Sequence, residues 1–482
     1  MTTAPKLRIA FIHPDLGIGG AERLVVDAAL GLQALGHSVD IYTSHHDTSH
    51  CFDETRDGTL RVHHIVPPFP RSWRGKFHIL FAHARQLHLT KFLLGTSAPK
   101  HDVFFVDQLS TCIPFLRAFG HKRVVFYCHF PDKLLANGVF VEGHLRKKNV
   151  GLLKTIYRYP MDWIEELTTR QADIILANSK FTARITTSHF ASIKTAPKVV
   201  YPGINIKAYQ APVQWGEPDI AQVTSQRPTL LSLNRFEMKK NAALAIKAFS
   251  LLRRRSVRQV SGRMRLVLAG GYDPRVEDNI QTLKSLVEGA RSNNLTFSVI
   301  TPPQSKVTAP SFAGSTTSEP DILFLLNFTT SQRSALLQAP STVALLYTPT
   351  NEHFGIGPVE GMICGVPILA CDSGGPTESV IDQPADQRTG WLRTPEPGIW
   401  AEALEEICRM SDGERAALSQ RSRDRAQSVF GMESMAQALE GSLVEAAELG
   451  PVDVPVKEWA FTVAFVVGLV LALLSRVWIP AY

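Results

Sequence analysis

The sequence has few cysteines, and none is spaced for metal or redox chemistry. Six cysteines are scattered over 482 residues, and no two of them form the two-residue-spaced pairs that zinc and dithiol sites use. This pattern predicts reduced, mostly buried thiols, so most of the chain is expected to face the cytosol. Residues 1–5 lead directly into a predicted strand, without the apolar core of a signal peptide.

A strong excess of either charge is also missing. The chain carries 51 basic and 44 acidic residues, a formal net charge of +7, and it has no arginine-rich run with interleaved aromatic residues. We therefore expect no nucleic-acid partner, whereas an anionic membrane surface or small anionic substrates remain compatible with the positive excess. No Asp-x-Asp triplet occurs, so the sequence predicts neither a metal–diphosphate clamp nor any bound metal or cofactor.

What the chain does contain is a regular alternation of short apolar runs and longer amphipathic stretches. One such series covers residues 7–177 and a second covers residues 229–371. Alternation of this kind is typical of parallel sheets wrapped by helices, so the sequence predicts an α/β fold with two doubly wound, Rossmann-like domains. The predicted boundaries are an N-terminal domain at 1–204, a linker at 205–227, a C-terminal domain at 228–430 and a helical segment at 431–450.

An uncharged run near the C-terminus predicts a membrane segment. Residues 459–474 contain no charged side chain, and Trp459 and Trp478 stand where interfacial aromatic residues would. A bilayer core needs roughly 20 residues of helix, and Arg476 could extend its charge to the interface. We expect a C-terminal hydrophobic membrane helix at 456–479, with a buried or interfacial helix as the alternative.

A glycine-rich loop follows the first predicted strand. Gly17, Gly19 and Gly20 let the backbone approach a ligand, and the start of the following helix attracts phosphate. The three glycines do not complete the dinucleotide fingerprint and lack an acidic residue at the required distance, which argues against a dehydrogenase. A tight turn that binds nothing remains an alternative.

A basic segment, residues 234–241, connects the first strand of the second series to a helix. It contains Arg235 and, at the predicted helix start, Lys239 and Lys240. Lysine near the positive end of a helix costs a few tenths of a kcal/mol unless an anion lies beside it. A diphosphate would supply that anion, and a solvated basic turn is the alternative.

The segment 351–360 carries the strongest signal. Pro358 suits the first turn of a helix, so Glu352 is expected in a loop and Glu360 in the helix. Carboxylates accept hydrogen bonds from ring and ribose hydroxyls, and free amides donate to a leaving phosphate. Two carboxylates that merely stabilise a helix start are the alternative. The amides expected at the phosphate belong to Phe354, Gly355 and Ile356.

The two glutamates, separated by seven residues, resemble the paired-glutamate motif of retaining glycosyltransferases with two facing Rossmann-like domains, the GT-B type. Together with segments 13–23, 127–132, 234–241, 269–273 and 347–379, they resemble the bifunctional alpha-1,3/alpha-1,6-mannosyltransferases of lipid-linked oligosaccharide assembly. The likeness spans residues 6–445 and is most specific at 347–379.

This resemblance implies an activity and a location. Mannose would be transferred from GDP-mannose, with retention, to a dolichyl-diphosphate chitobiose carrying one mannose, first in a 1,3 and then in a 1,6 linkage. Transfer would take place on the cytosolic face of the endoplasmic reticulum membrane, in the lipid-linked oligosaccharide pathway of N-glycosylation. Other mannosyltransferases of that pathway are possible partners. The N-terminal domain would take the acceptor and the C-terminal domain the nucleotide sugar.

The resemblance also assigns roles to residues. Arg235 and Lys240 would clamp the GDP phosphates, Glu360 would hold the ribose, Glu352 would contact the mannose, and His129 would lie near the acceptor as a base or a positioning group. The residues that would border the donor diphosphate from the N-terminal domain are Gly17, Gly19 and Gly20. Two other functions stay open: a related transferase with another nucleotide sugar or acceptor, and a non-catalytic scaffold of a transferase complex.

Overall fold

The computed structural model describes residues 5–96, 98–141, 144–147, 152–255, 264–315, 319–452, 460 and 462–471. The chain divides into two compact units, one formed by Met1–Ile204 with Met432–Tyr482 and the other by Asn205–Gly431. Both units are α/β and Rossmann-like, each with a seven-stranded parallel sheet. The two domains predicted from the alternating pattern are therefore confirmed.

The first unit contains a sheet with the strand order β3-β2-β1-β4-β5-β8-β9 and a separate antiparallel hairpin, β6-β7. Its central strands are almost entirely buried, as expected when helices cover both faces of a parallel sheet. The strands are β1 (Arg8–His13), β2 (Ser38–Thr43), β3 (Arg61–His64), β4 (Val103–Asp107), β5 (Arg123–Cys128), β6 (Gly138–Val141), β7 (His144–Lys147), β8 (Ile174–Ala177) and β9 (Lys198–Val199). The helices are α1 (Gly20–Ala34), α2 (His78–Leu93), α3 (Ile113–Gly120), α4 (Asp132–Asn137), α5 (Leu152–Thr169) and α6 (Lys180–His189).

The second unit has the strand order β12-β13-β11-β10-β14-β15-β16. Residues 205–227, predicted as a linker, belong to this unit and carry two short helices. The strands are β10 (Thr229–Leu233), β11 (Arg265–Gly270), β12 (Phe297–Ile300), β13 (Ile322–Leu326), β14 (Thr342–Tyr347), β15 (Ile368–Cys371) and β16 (Gly390–Arg393). The helices are α7 (Ile206–Gln210), α8 (Pro218–Ala221), α9 (Ala243–Arg254), α10 (Glu277–Ser292), α11 (Thr330–Gln338), α12 (Ile356–Ile363), α13 (Pro376–Ser379), α14 (Pro397–Arg409) and α15 (Asp412–Phe430).

A last long helix, α16 (Met432–Glu448), returns to the first unit. Its apolar face joins the core beneath β1, β4 and β5, and it packs on α1. The two helices approach each other closely: a Cβ added to Gly31 of α1 would lie 2.6 Å from the Cβ of Ala436 of α16. The side chains that it buries are Met435, Leu439, Leu443 and Ala446.

The structure describes only part of the C-terminal segment that was predicted to be a membrane helix. Most of the expected membrane helix, 456–479, lies outside the described residues, and its described residues 460 and 462–471 are helical. Within the described ranges no helix has both the length and the apolar character needed to cross a membrane. Two described side chains of this segment contact the first unit: Val470 contacts the cluster of Leu80 and Phe81 on α2, and Phe465 lies against Trp163 of α5.

Candidate active site

Two neighbouring strands of the second unit bring its predicted motifs together. β10 pairs with β14 in parallel, so the segments that follow Leu233 and Tyr347 leave the same edge of the sheet, where ligands of α/β domains bind. A hydrogen bond from Thr348 Oγ1 to the carbonyl oxygen of Lys240, at 2.6 Å, joins the two segments directly.

Lys240 and Glu352 form an ion pair at this edge. Lys240 Nζ lies 2.6 Å from Glu352 Oε2, and the two side chains are only 13% and 22% exposed. Burial alone would raise the pKa of the Glu352 carboxyl, but the charge and hydrogen bond of Lys240 outweigh burial and lower this pKa. Glu352 is therefore a carboxylate at neutral pH, and it holds the ammonium group in place.

Close contacts with Gly375 and Tyr347 hold the loop that carries Glu352. The Glu352 carbonyl accepts a 2.7 Å hydrogen bond from the amide of Gly375, and a Cβ added to Gly375 would lie 2.1 Å from the Phe354 carbonyl oxygen. Gly355 has φ +85°, and its missing side chain leaves room for the Tyr347 hydroxyl, 2.7 Å from an added Cβ. The amides that open α12 at Ile356 thus have a fixed direction, and the start of a helix is a place where anions bind.

Glu360 lies one turn into α12 and has partners that the sequence did not predict. The Tyr209 hydroxyl donates to Glu360 Oε1, and Arg333 Nη1 donates to the same oxygen at 3.1 Å. The Arg333 guanidinium also covers the Tyr209 ring, 4.6 Å from its centroid. Burial, together with the nearby Glu360 charge, raises the pKa of Tyr209, so this hydroxyl remains a donor.

Arg235 lies on the surface of the same unit. Its side chain is 68% exposed, and its guanidinium pairs with Glu237 at 3.1 Å. Position 270 packs against the backbone just before Arg235 and requires glycine, because a Cβ added to Gly270 would lie 1.8 Å from the Asn234 carbonyl oxygen. Of the predicted phosphate-binding cations, Lys240 is thus held in a half-buried ion pair, while Arg235 is exposed to solvent.

The first unit gathers three polar residues at the ends of β1, β4 and β5. Asp107 is buried and bridges two histidines: its Oδ2 lies 2.7 Å from His13 Nδ1, and its Oδ1 lies 2.7 Å from His129 Nε2. The His129 side chain is 22% exposed, whereas those of Asp107 and His13 are at most 1% exposed. The sequence predicted His129 alone. A polar residue ending an otherwise apolar strand was the available signal for the other two.

The charges in this group stabilise one another. Burial alone would raise the pKa of Asp107, but His129 and His13 outweigh it and lower the pKa to about 2. Burial alone would lower the pKa of His13, but the hydrogen bond to Asp107 and the charges of Asp107 and Glu22 raise this pKa to about 9. At neutral pH the group therefore contains a buried carboxylate and a protonated His13.

Glu22 lies between the predicted glycine loop and the group formed by Asp107, His13 and His129. α1 begins at Gly20, and Gly19 precedes it with extended backbone. A Cβ added to Gly19 would lie 2.2 Å from Glu22 Oε2, and Glu22 Oε1 lies 4.0 Å from His13 Nε2. A carboxylate thus already occupies the start of α1, close to the loop that Gly17 opens. Among the described residues, no cluster of three or more His, Cys, Asp or Glu side chains could hold a metal ion.

Two glycosyltransferase family models match this chain. Residues 18–208 match Glycosyltransferase Family 4, and residues 313–425 match Glycosyl transferases group 1. In structure, it is similar to a sucrose-phosphate synthase from Thermosynechococcus elongatus, with a TM-score of 0.67, 17% identity and coverage of 92% of this chain and 100% of the other. It is also similar to Anabaena HepE in complex with UDP and glucose, with a TM-score of 0.59, 16% identity and coverage of 91% and 99%. At these identities the likeness shows a GT-B-like fold alone.

The curated relatives are much more similar in sequence. The chain is 43% identical to the alpha-1,3/1,6-mannosyltransferase ALG2 of Rhizomucor pusillus, over 92% of each chain. It is 41% identical to ALG2 of Schizosaccharomyces pombe, over 92% of this chain and 82% of that one. For ALG2 of Saccharomyces cerevisiae the identity is 40%, over 91% and 85%. The chain therefore belongs to the ALG2 family of alpha-1,3/1,6-mannosyltransferases and is a glycosyltransferase.

Proposed function

We propose that this protein transfers mannose from GDP-mannose to dolichyl-diphosphate-linked Man1GlcNAc2, with retention, first in an alpha-1,3 and then in an alpha-1,6 linkage. The single observation that carries this proposal is the half-buried Lys240–Glu352 ion pair. It lies at the sheet edge beside the start of α12 and Glu360. That arrangement provides a cation, fixed amides and carboxylates within one segment of the second unit. These are the groups that a sugar bound through a diphosphate requires.

The donor would bind in the second unit through its charges. Lys240 and the exposed Arg235 neutralise the diphosphate, and the amides at the start of α12 donate to its oxygens. When the bond between the mannose C1 and the phosphate oxygen breaks, the departing GDP gains negative charge, and the same groups stabilise it. Glu352, kept ionised by Lys240, accepts hydrogen bonds from mannose hydroxyls.

Retention determines where the acceptor proton goes. A hydroxyl of the acceptor forms its bond to C1 on the face from which the phosphate leaves, so a phosphate oxygen is the nearest base and takes the proton. The reaction therefore yields the extended glycan and GDP, with no other reactant consumed. His129, held by Asp107 through Nε2, would offer Nδ1 to a substrate hydroxyl as a positioning group.

Ribose recognition is assigned to Glu360. Its carboxylate accepts from Tyr209 and Arg333, which fixes its orientation and leaves its second oxygen for two adjacent ribose hydroxyls. Tyr209 and Arg333 would thus affect donor affinity through Glu360, without touching the sugar that is transferred.

The site of action would be the cytosolic face of the endoplasmic reticulum membrane. The acceptor is a dolichol lipid, which stays in the bilayer, so an enzyme that acts on it must work at the membrane surface. The uncharged run at 459–474 would hold the chain there. Other mannosyltransferases of the same pathway are expected neighbours.

The test is a mass-spectrometric assay of the purified full chain in lipid, with GDP-mannose and a phytanyl-diphosphate Man1GlcNAc2 acceptor. Growth of the acceptor by two hexoses, one of them released by a 1,6-specific mannosidase, is expected. A matched Glu352→Gln variant, nearly equal in shape but without the charge, should lose most of the transfer. Transfer only from another nucleotide sugar would overturn the substrate assignment, and donor binding without turnover would favour a scaffold.

A further inference from the structure

A pocket with cationic side chains lies in the first unit. It sits where the loops after β1 and β2 meet the start of α2, and its cavity volume is about 190 Å³. Leu16 donates a 2.9 Å backbone hydrogen bond to the His45 carbonyl, which ties the two loops together. The residues that line the pocket are Pro14, Asp15, Ser44, His45, Arg71, His78, Ala82 and Arg85.

Two arginines face a single carboxylate among these described lining residues. Arg71 pairs with Asp15, and its side chain remains 60% exposed. Arg85 is held by backbone carbonyls, donating to Ser44 at 2.6 Å and to Phe69 at 3.1 Å. Burial and the like charge of Arg71 lower the pKa of Arg85, whereas Asp15 acts in the opposite direction. The pocket therefore holds an excess of positive charge that an anion would neutralise.

His45 adds a hydrogen-bond donor to the positively charged lining of the pocket. Burial lowers the pKa of His45, and the charges of Arg71 and Arg85 lower it further, against the opposing effect of Asp15. His45 therefore stays neutral at physiological pH, and a neutral imidazole still offers one N–H. His78, which opens α2, also lines the pocket, and its Nε2 donates to the Gly75 carbonyl oxygen at 3.1 Å.

We propose that this pocket binds the diphosphate group of the lipid-linked acceptor, an inference that rests on the proposed function. Guanidinium groups bind phosphate oxygens in a bidentate manner, and a cavity of about 190 Å³ is smaller than the roughly 300–1,000 Å³ of typical sites for larger ligands. It suits a diphosphate better than a trisaccharide. The donor diphosphate has its own cations, Lys240 and Arg235, in the second unit.

The far side of α2 supports a lipid as the source of this diphosphate. While His78 and Arg85 line the pocket, Leu80, Phe81 and Ala84 of the same helix form an apolar cluster with Val470. Val470 belongs to the uncharged run near the C-terminus. One helix thus connects a site for a charged headgroup with the segment proposed to lie at the bilayer.

The experiment compares two acceptors that differ only in the diphosphate. One is Man1GlcNAc2 on phytanyl diphosphate, and the other is the same trisaccharide on a neutral alkyl glycoside, both assayed with the full chain in neutral phosphatidylcholine vesicles. We expect Arg71→Gln to lower kcat/KM for the diphosphate acceptor about 10- to 100-fold more than for the neutral one, as loss of a charged hydrogen bond predicts. The KM for GDP-mannose should not change.

Two further variants serve as controls, one for misfolding and one for the direction of the charge effect. Arg56→Gln removes an exposed arginine of the same unit that pairs with Asp53, and it should leave the ratio between the two acceptors as in the wild type. Asp15→Asn removes the carboxylate that competes for Arg71, so it should lower the KM for the diphosphate acceptor. Equal losses for both acceptors in Arg71→Gln, or a raised KM in Asp15→Asn, would overturn the assignment.

A binding measurement separates this inference from the proposed function. Phytanyl diphosphate without a sugar is titrated into wild-type protein and into Arg71→Gln, which requires no transfer. Weaker binding by the variant supports the pocket even if GDP-mannose proves to be the wrong donor. Equal binding refutes the pocket even if mannose is transferred. A preference for vesicles containing anionic phospholipid that Arg71→Gln abolishes, without an effect on phytanyl diphosphate, would identify a membrane headgroup as the ligand and refute the acceptor assignment.

Discussion

Replacing Asp107 by asparagine removes the charge that holds His13 and His129 together while keeping the side chain's shape. In the native protein the two histidines lower the pKa of Asp107 to about 2, against an ordinary value of 3.8. At about 1.4 kcal/mol per pKa unit, the favourable interaction is on the order of 2 kcal/mol. Because Asp107 is fully buried, solvent does not screen its interaction with the two histidines. We expect Asp107→Asn to lower the local stability of the first unit by about that amount at pH 6.5.

The same interaction predicts a pH dependence with a definite sign. The pKa of His13 is raised from 6.5 to about 9, so its contribution is complete below pH 6.5 and is lost as the pH rises through 9. The contribution of Asp107 is present above pH 3.8 and is lost only as the pH falls through about 2. Stability of the first unit should therefore decline between pH 6.5 and 9 in the wild type. In Asp107→Asn, where His13 retains only Glu22, the decline should be much smaller.

Hydrogen exchange measures the stability of the first unit separately from that of the second, so it suits a chain of two units. Protection of the amides in β1 and β4 is followed from pH 6.5 to 9, corrected for intrinsic exchange, with β10 of the second unit as internal reference. The exposed Asp53→Asn is the matched control. If the wild type and Asp107→Asn show equal protection in β1 and β4, with the same slope against pH, the reasoning about this buried group is wrong.

Three further predictions concern the second unit. Lys240→Ala leaves the half-buried Glu352 carboxylate without its cation and removes a positive charge from the phosphate site. In the mannose-transfer assay kcat should therefore fall about 100- to 1,000-fold, and a near-native kcat would exclude phosphate stabilisation by Lys240. Arg333→Gln removes a hydrogen bond to Glu360, so the KM for GDP-mannose should rise about 10-fold, with kcat changed less; an unchanged KM would contradict ribose binding there. Gly375→Ala should abolish GDP binding in a calorimetric titration, whereas Gly398→Ala, whose added Cβ meets nothing within 4 Å, should bind as the wild type does.

Much of the second unit's candidate site could be predicted because its parts are local in sequence. Segment 234–241 and the loop at Glu352 each follow a recognisable apolar strand, and in a parallel sheet such loops leave the same edge. Sequence does not give the strand order, but β10 and β14 are neighbours, which brings Lys240 to Glu352. The glycine turns beside them were visible as well, because close backbone approach restricts those positions to glycine.

Other parts could not be predicted, since they depend on packing between distant segments. Tyr209 comes from a stretch that looked like a linker, and Arg333 comes from a helix without any motif, yet both reach Glu360. Asp107 and His13 end apolar strands, and only the parallel pairing of β1 with β4 makes them neighbours. The contact of Val470 with the Leu80 and Phe81 cluster also joins distant segments, and the lack of charge in the C-terminal run does not predict it.

The return of α16 to the first unit affects how the protein is made. The core of that unit includes Met435, Leu439, Leu443 and Ala446, which leave the ribosome after the whole of the second unit. At about 5–20 residues per second, synthesis from the end of the first segment to this helix takes about 12–50 s. During that time the second unit, which is continuous in sequence, can fold, while the first waits with the apolar surface beneath its sheet uncovered. The unit whose synthesis begins first is thus the unit whose core is completed last, and its apolar surface is exposed to aggregation until then.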